Sequence, residues 1–212
     1  MYTFTGRQTL TASDSGFPSG ADPSTLLFWF NSSSGGSMSI FGYGGGGANY
    51  RLAMATGSAL AADVYGEMLA APNYADGNWH KCVIVFSQDG AGLSKIFVDG
   101  ALVATGTLAI DSALGQVAVG ARPVLGAALF TGSVANCAVF ATGLSDADAE
   151  ALSANAAPDA SSAANCLSFW PLSSQTDLAD TSGHSNTLTQ TLSGLPWDSM
   201  DLCSNQITPA LR

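Results

Sequence analysis

The 212-residue chain of 21.4 kDa carries 47% apolar and only 10% charged residues at a mean hydropathy of +0.24, which excludes a disordered segment and a heavily charged surface. Six Lys and Arg against sixteen Asp and Glu leave a net charge of −10, which opposes contact with phosphate backbones and removes nucleic acid as a partner. The longest apolar runs, at 26–30 and 82–86, fall far below the ~18 residues of a membrane-spanning helix, so no membrane insertion is expected. One domain is the expectation at this length, since two halves would each approach the size where cores become marginal.

The opening MYTFTGRQTL has no basic stretch leading into an apolar one, so nothing in it marks a secretory signal, which was either removed or never used. From there, short β-branched and aromatic runs punctuated by Gly, Asp, Asn and Ser predict an all-β chain. Residues 26–30 (LLFWF) read as a buried strand, and 37–41 with 50–54 as a hairpin around the glycine-rich turn 42–47. Alternation over 79–86 puts Trp79, Lys81, Val83 and Val85 on one face and His80, Cys82, Ile84 and Phe86 on the other. Asp99-Gly100 between 95–98 and 101–105 is the signature of a two-residue type I′ hairpin. Residues 117–120 and 132–140 supply two more strands. A single short helix is predicted at 145–154, where Ser145 caps the amide of Asp148, and Asp146, Asp148 and Glu150 sit near the positive end of the dipole.

The Ala- and Ser-rich stretch 154–164 reads as an exposed connector. Beyond it, 166–170 is again strand-like, but about 45 residues with few apolar runs cannot build a core of their own. The expected organisation is therefore one domain over 1–212: a main sandwich at 1–153, the connector, and a segment at 165–212 packing back on the sandwich. Four cysteines without any C-x-x-C disfavour zinc. Cys82 and Cys137 read as buried thiols, while Cys166 and Cys203 could clip the C-terminal segment in an oxidising compartment.

Three motifs carry a resemblance: Asp76-Gly77-Asn78-Trp79-His80 leading into KCVIVF, the hairpin IFVDGALV, and FTGSVANCAVFATGLSDADAEAL. With these the chain resembles the concanavalin A-like lectin/glucanase superfamily in its laminin-G-like and pentraxin-like branch. The resemblance implies an antiparallel two-sheet β-sandwich of jelly-roll type. The stretch LSFWPL at 167–172 with DTSGHSN at 180–186 is similar to the opening of many such domains, yet stands near the end here. Either the strand order is permuted or a second copy begins there. Permutation is favoured, because an unpaired strand carrying Phe169 and Trp170 would expose an edge and a large apolar surface.

Glucanase-type members place two Glu and an Asp closely on one strand, as glycoside cleavage needs paired carboxyl groups. This chain has only two Glu. Glu67 stands alone in a turn region, and Glu150 belongs to the helix start. His80 has a structural place in the family motif, and His184 sits in a polar loop. The glycine run at 42–47 lacks the ending of a phosphate loop. An enzyme is not expected.

The resemblance also suggests calcium, with Asp177, Asp180, Ser182 and Asn186 as the candidate ligands; an ordinary Asx turn is the alternative for the same residues. Tyr43, Tyr50, Tyr65, Tyr74 and Trp197 are the candidate sugar-stacking aromatics, with the core as their alternative. The expected role is a non-enzymatic structural or recognition module on a larger assembly, most concretely a bacteriophage virion protein of the capsid-decoration or tail-fibre kind. Its partners would be other virion proteins, cell-surface glycans or further copies of itself. Its place would be the virion or an extracellular surface. The alternatives are a free or secreted carbohydrate-binding lectin, with or without calcium, and behind it a glycan-cleaving enzyme.

Overall fold

The computed structural model describes residues 1–45, 49–57, 59–64, 67–87, 93–123, 127–154 and 165–192. Its centre is a pair of strands apolar on both faces, β3 (Ser24–Asn31) and β8 (Trp79–Phe86). Leu26, Phe28 and Phe30 with Cys82, Ile84 and Phe86 enter the main core, while Leu27, Val83 and Val85 pack on the opposite side. The faces of β8 are those its alternation predicts. Strands of this kind need cover on both sides, and the chain supplies a second sheet on one and a helix on the other.

The first sheet runs β1 (Tyr2–Thr5), β12 (Thr131–Phe140), β3, β8, β9 (Leu93–Val98), β10 (Ala101–Thr107), with β13 (Cys166–Trp170) also on β12. The second runs β14 (Thr189–Leu192), β2 (Gln8–Ala12), β11 (Gln116–Val119), β4 (Met38–Gly44), β5 (Tyr50–Thr56), β6 (Ala59–Val64), β7 (Glu67–Ala71). All pairings are antiparallel. The result is the all-β sandwich expected, with one short helix among the described residues.

The described part of the C-terminal segment, 165–192, pairs with both sheets. The long strand β12 seats two partners end to end on one edge, β1 against residues 131–134 and β13 against residues 137–140. The first strand's place is thus shared rather than vacated. Trp170 is fully buried and meets Phe41 of the other sheet edge-on at 6.1 Å, so β13 links the layers.

Local chemistry explains the junctions. Asp99 and Gly100 have φ of 52° and 84°, as a type I′ turn demands. Helix α1 (Asp146–Ala154) starts where Ser145 Oγ accepts the amide of Asp148 at 3.2 Å and donates to its carboxylate at 2.6 Å. Lys95 pairs with Asp146 at 2.5 Å, and Ser153 Oγ accepts the amide of Gly100 at 3.2 Å, tying both ends of α1 to the sheet.

Two turn assignments change. Gly42 and Gly44 belong to β4 rather than to a loop, because a Cβ on Gly42 would stand 2.3 Å from the Arg51 carbonyl oxygen across the β4–β5 pair. The residues 46–48 lie outside the described set. Glu67 begins β7 instead of standing in a turn, and its Oε2 accepts the amide of Ala109 at 2.9 Å. The strands β6 and β7 escape sequence periodicity since ALAADV and EMLAA are rich in alanine, a weak strand former. The connector from 155 to 164 and the residues from 193 onward also lie outside the described set. Among the described residues no helix is long and apolar enough to cross a membrane.

Candidate functional site

Helix α1 covers only part of the outer face of the first sheet. Leu27, Val83, Phe97 and Phe140 close over Ala149 beneath it. Beyond that patch the same strands continue with Trp29 on β3, Trp79 and Lys81 on β8, and Ala135 on β12. Trp29 lies opposite Lys81 on one side and Ala135 on the other, and Asn31 lies opposite Trp79. With Met1 and Asn136, the two tryptophans line a shallow groove of about 330 Å³.

Trp79 is 37% exposed and Trp29 is half-buried. The indole Nε1 of Trp29 is buried with no acceptor among the described residues. Lys81 Nζ stands 5.9 Å from the centroid of the Trp29 ring, a cation–π arrangement that complements the ring face. Burial holds this ammonium down to about 8. The groove therefore offers aromatic faces and a small number of polar groups, the mix that ligand sites share.

The turn before β8 sets the attitude of Trp79. Asp76 accepts the amide of Asn78 at 2.8 Å and its side-chain amide at 2.9 Å, an Asx turn. From β3, Asn31 Nδ2 donates to the Gly77 carbonyl at 2.5 Å, and Gly77 N donates to the Ser32 carbonyl at 2.9 Å. His80 closes the turn: its Nδ1 stands 2.6 Å from Asp99 Oδ2 and its Nε2 3.0 Å from Asp76 Oδ1. Burial disfavours the imidazolium, but hydrogen bonds to Asp99 and Asp76 outweigh it and raise His80 above the ordinary histidine value. Asp76 is held down to about 2, first by the Asn78 amide and side chain and then by His80.

The aromatic candidates from sequence fall elsewhere. Tyr43 is a core residue at 0% exposure, its hydroxyl donating to Ser24 Oγ at 2.9 Å and its ring 5.8 Å from the Arg51 guanidinium. Tyr50 is 3% exposed, donates to Asp63 at 3.3 Å and is covered by Arg122 at 5.4 Å. Neither presents a ring face to a ligand, because each is enclosed by partners distant in sequence. Tyr74 is half-buried and packs edge-on against His80 at 4.9 Å, behind the groove rather than in it. Tyr65 and Trp197 lie outside the described residues. Sequence analysis overlooked Trp29 and Trp79, although the signal was present: Phe28 and Phe30 point inward, so Trp29 between them points out, on the same face as Trp79.

The calcium candidates do not form a cation site as folded. Asp180 accepts the amides of Phe169 and Ser182 on Oδ1, at 3.0 and 2.9 Å, and that of Asn186 on Oδ2 at 3.0 Å. Burial resists its ionisation, but these amides and the Ser182 hydroxyl outweigh burial and hold the carboxyl below the usual range. Asp177 instead accepts the amide and hydroxyl of Ser173, at 3.2 and 2.5 Å. Ser182 turns toward the Leu167 carbonyl and His184, and the Asn186 side chain donates to Ser168 at 2.7 Å. The loop is an Asx-type clip that fastens its own backbone to β13. A cation there would have to displace backbone donors, so the donor set does not fit the ion.

Cys82, Cys137 and Cys166 are free and buried, and burial pushes Cys166 up to about 11. The proposed partner Cys203 lies outside the described residues. Asp146, Asp148 and Glu150 are exposed on α1. A second cavity of about 250 Å³ is lined by Asn49, Glu67, Ala109 and Asp111.

With this geometry in place, the family assignment follows. Residues 4–150 match the model of the concanavalin A-like lectin/glucanases superfamily, and the chain belongs to that superfamily. No curated protein sequence matches the chain. Among solved structures, a candidate carbohydrate-binding protein from Bacteroides ovatus is similar at a TM-score of 0.65 and 15% identity, over 92% of this chain and 60% of that one. The CBM40 module of the Ruminococcus gnavus IT-sialidase, bound to α2,3-sialyllactose, is similar at 0.55 and 17%, over 73% of this chain and 95% of the module. Domains LG4–5 of the mouse laminin α1 chain follow at 0.55 and 13%, over 68% and 42%. These likenesses show the fold, an antiparallel β-sandwich of concanavalin A-like type. This chain spans 60% of the length of the Bacteroides protein.

Proposed function

We propose that the protein is a non-catalytic carbohydrate-binding module whose glycan site is the groove between Trp29 and Trp79. The observation that carries this reading is the pair of indoles that line a groove on the part of the outer face beyond α1, where no described element covers them. A pyranose ring offers an apolar face of C–H groups and a rim of hydroxyls. Indole rings match the first, while Asn136 supplies a polar partner for the second. The candidate carbohydrate-binding protein and the sialyllactose-bound module among the structural neighbours support a sugar ligand.

The groove lining contains no carboxylate among the described residues, and the two glutamates stand away from it on β7 and α1. Paired acids for glycoside cleavage are therefore lacking there. Low charge and an Ala-, Gly-, Ser- and Thr-rich composition support a setting on the surface of a larger assembly, a virion included, where other assembly proteins would be neighbours. A free secreted lectin would use the same groove.

The test is a glycan-array screen with calcium and with chelator, followed by calorimetry on the best ligand. Selective binding should survive chelation, since no calcium ligand set is built into the 177–186 loop. Trp79→Ala should weaken it by about 30-fold, the ~2 kcal/mol of a binding hot spot. Absence of any bound glycan, or full affinity in Trp79→Ala, would overturn the assignment.

A further inference from the structure

Resting on that reading of the groove, the geometry points to His80 as a positioning residue for Trp79: its doubly hydrogen-bonded imidazolium clasps the 76–79 turn, and loss of one proton loosens the turn and weakens the groove. A neutral imidazole has one N–H and one lone pair, whereas both His80 nitrogens face carboxylates, Asp99 at 2.6 Å and Asp76 at 3.0 Å. Only the imidazolium donates to both. After deprotonation one carboxylate faces a lone pair, and that contact turns repulsive.

The two carboxylates belong to different parts of the fold. Asp76 lies on the turn that ends in Trp79, and Asp99 lies at the tip of the β9–β10 hairpin, where its Oδ1 also accepts the Lys81 amide at 2.9 Å. His80 thus joins the 76–79 turn to the tip of the β9–β10 hairpin, one residue from the indole that forms the exposed wall of the groove. The ring is held on its flanks by Tyr74 at 4.9 Å and Phe30 of β3 at 5.9 Å. Besides the two aspartates, the titratable groups facing it are Tyr74 from the segment before the turn and Cys82 further along the same face of β8; Lys81 directs its side chain to the opposite face. Burial pushes Tyr74 and Cys82 up, so both stay neutral through the range in which a histidine titrates.

Two anchors act on the turn, and they differ in kind. The Asn31 and Ser32 contacts from β3 do not titrate, while the Asp76–His80–Asp99 clasp does. At low pH both hold; above the histidine transition only the first does. The indole of Trp79 then gains freedom while the sheet beneath it is unchanged, and affinity at the groove declines with rising pH because more ordering is needed on binding.

The test follows the imidazole nitrogens of His80 and the indole N–H of Trp79 by nuclear magnetic resonance between about pH 5 and 9, on the full chain without ligand. Both should titrate with one shared midpoint, above that of an unhindered histidine. Asp99→Asn keeps the turn-forming side chain and an oxygen for the Lys81 amide but removes the charge. It should stay folded and move both midpoints together to lower pH. His80→Gln should abolish the Trp79 transition. A Trp79 signal that stays flat while His80 titrates, or midpoints that separate in Asp99→Asn, would overturn the clasp. Since no glycan is present, this result is independent of whether the groove binds sugar.

Discussion

The outer face of the first sheet has two halves built from the same strands. Under α1, β3 and β8 present Leu27, Val83 and Val85, and β12 presents Ala138 and Phe140; the helix seals them with Ala149 and Leu152. Past the end of the helix, those strands present Trp29, Trp79 and Ala135, and no described element covers them. Wholly apolar side chains sit where a helix excludes water, and amphipathic indoles sit where water has access. One half of the face holds the fold together, and the other is free to hold a ligand.

Substitutions should separate the halves. Phe97→Ala, in the sealed half, should cost about 3–5 kcal/mol by emptying a ring's volume beneath α1, read as a fall in the denaturation midpoint. Gly100→Ala should cost about 1–3 kcal/mol, because its backbone has φ of 84° and its new Cβ would meet the Ala154 Cβ at 2.8 Å; the loss should appear with fraying of the helix end in hydrogen exchange. Ser145→Ala should remove about 1 kcal/mol of capping. Trp79→Ala, in the open half, should change unfolding by no more than about 0.5 kcal/mol while weakening glycan affinity by about 30-fold. If Trp79→Ala unfolded the chain as Phe97→Ala should, the distinction between the halves would fail.

The smallest effect is on pH dependence. His80 is raised in the fold, so its contribution to stability is complete below 6.5 and is lost as pH rises through the folded value. Asp76, held at about 2, contributes above 3.8 and loses that contribution as pH falls toward 2. Thermal midpoints of the wild type and His80→Gln should therefore differ most between about pH 4 and 6.5 and converge above the histidine transition.

The same contrast explains what the residues disclosed in advance. Strands with strong apolar runs or alternation, such as LLFWF and WHKCVIVF, and turns with obligatory chemistry, such as Asp99-Gly100 and the Ser145 cap, were legible because their determinants are local. The strands ALAADV and EMLAA were not, because pairing with β5 outward through the sheet forms them rather than propensity. Alternation separates the faces of a strand but does not say which face is covered. Tyr50 is on the outer face of the second sheet with Leu52 and Met54, and is buried there by Arg122, more than seventy positions away. Trp29, with the same periodic signature, is only half-buried, and no described element covers it. For Asp180, the donors that fill its carboxylate are backbone amides, which leave no mark in the side-chain pattern.

The most direct test of the groove is an amide and indole resonance titration of the full chain with the best glycan from the array. The account predicts that the indole signals of Trp29 and Trp79 shift with ligand, while that of Trp170, bonded to the Asn186 carbonyl at 2.6 Å in the core, stays in place. Saturable shifts elsewhere, for example around Glu67 and Asp111, with both groove indoles unmoved would contradict it.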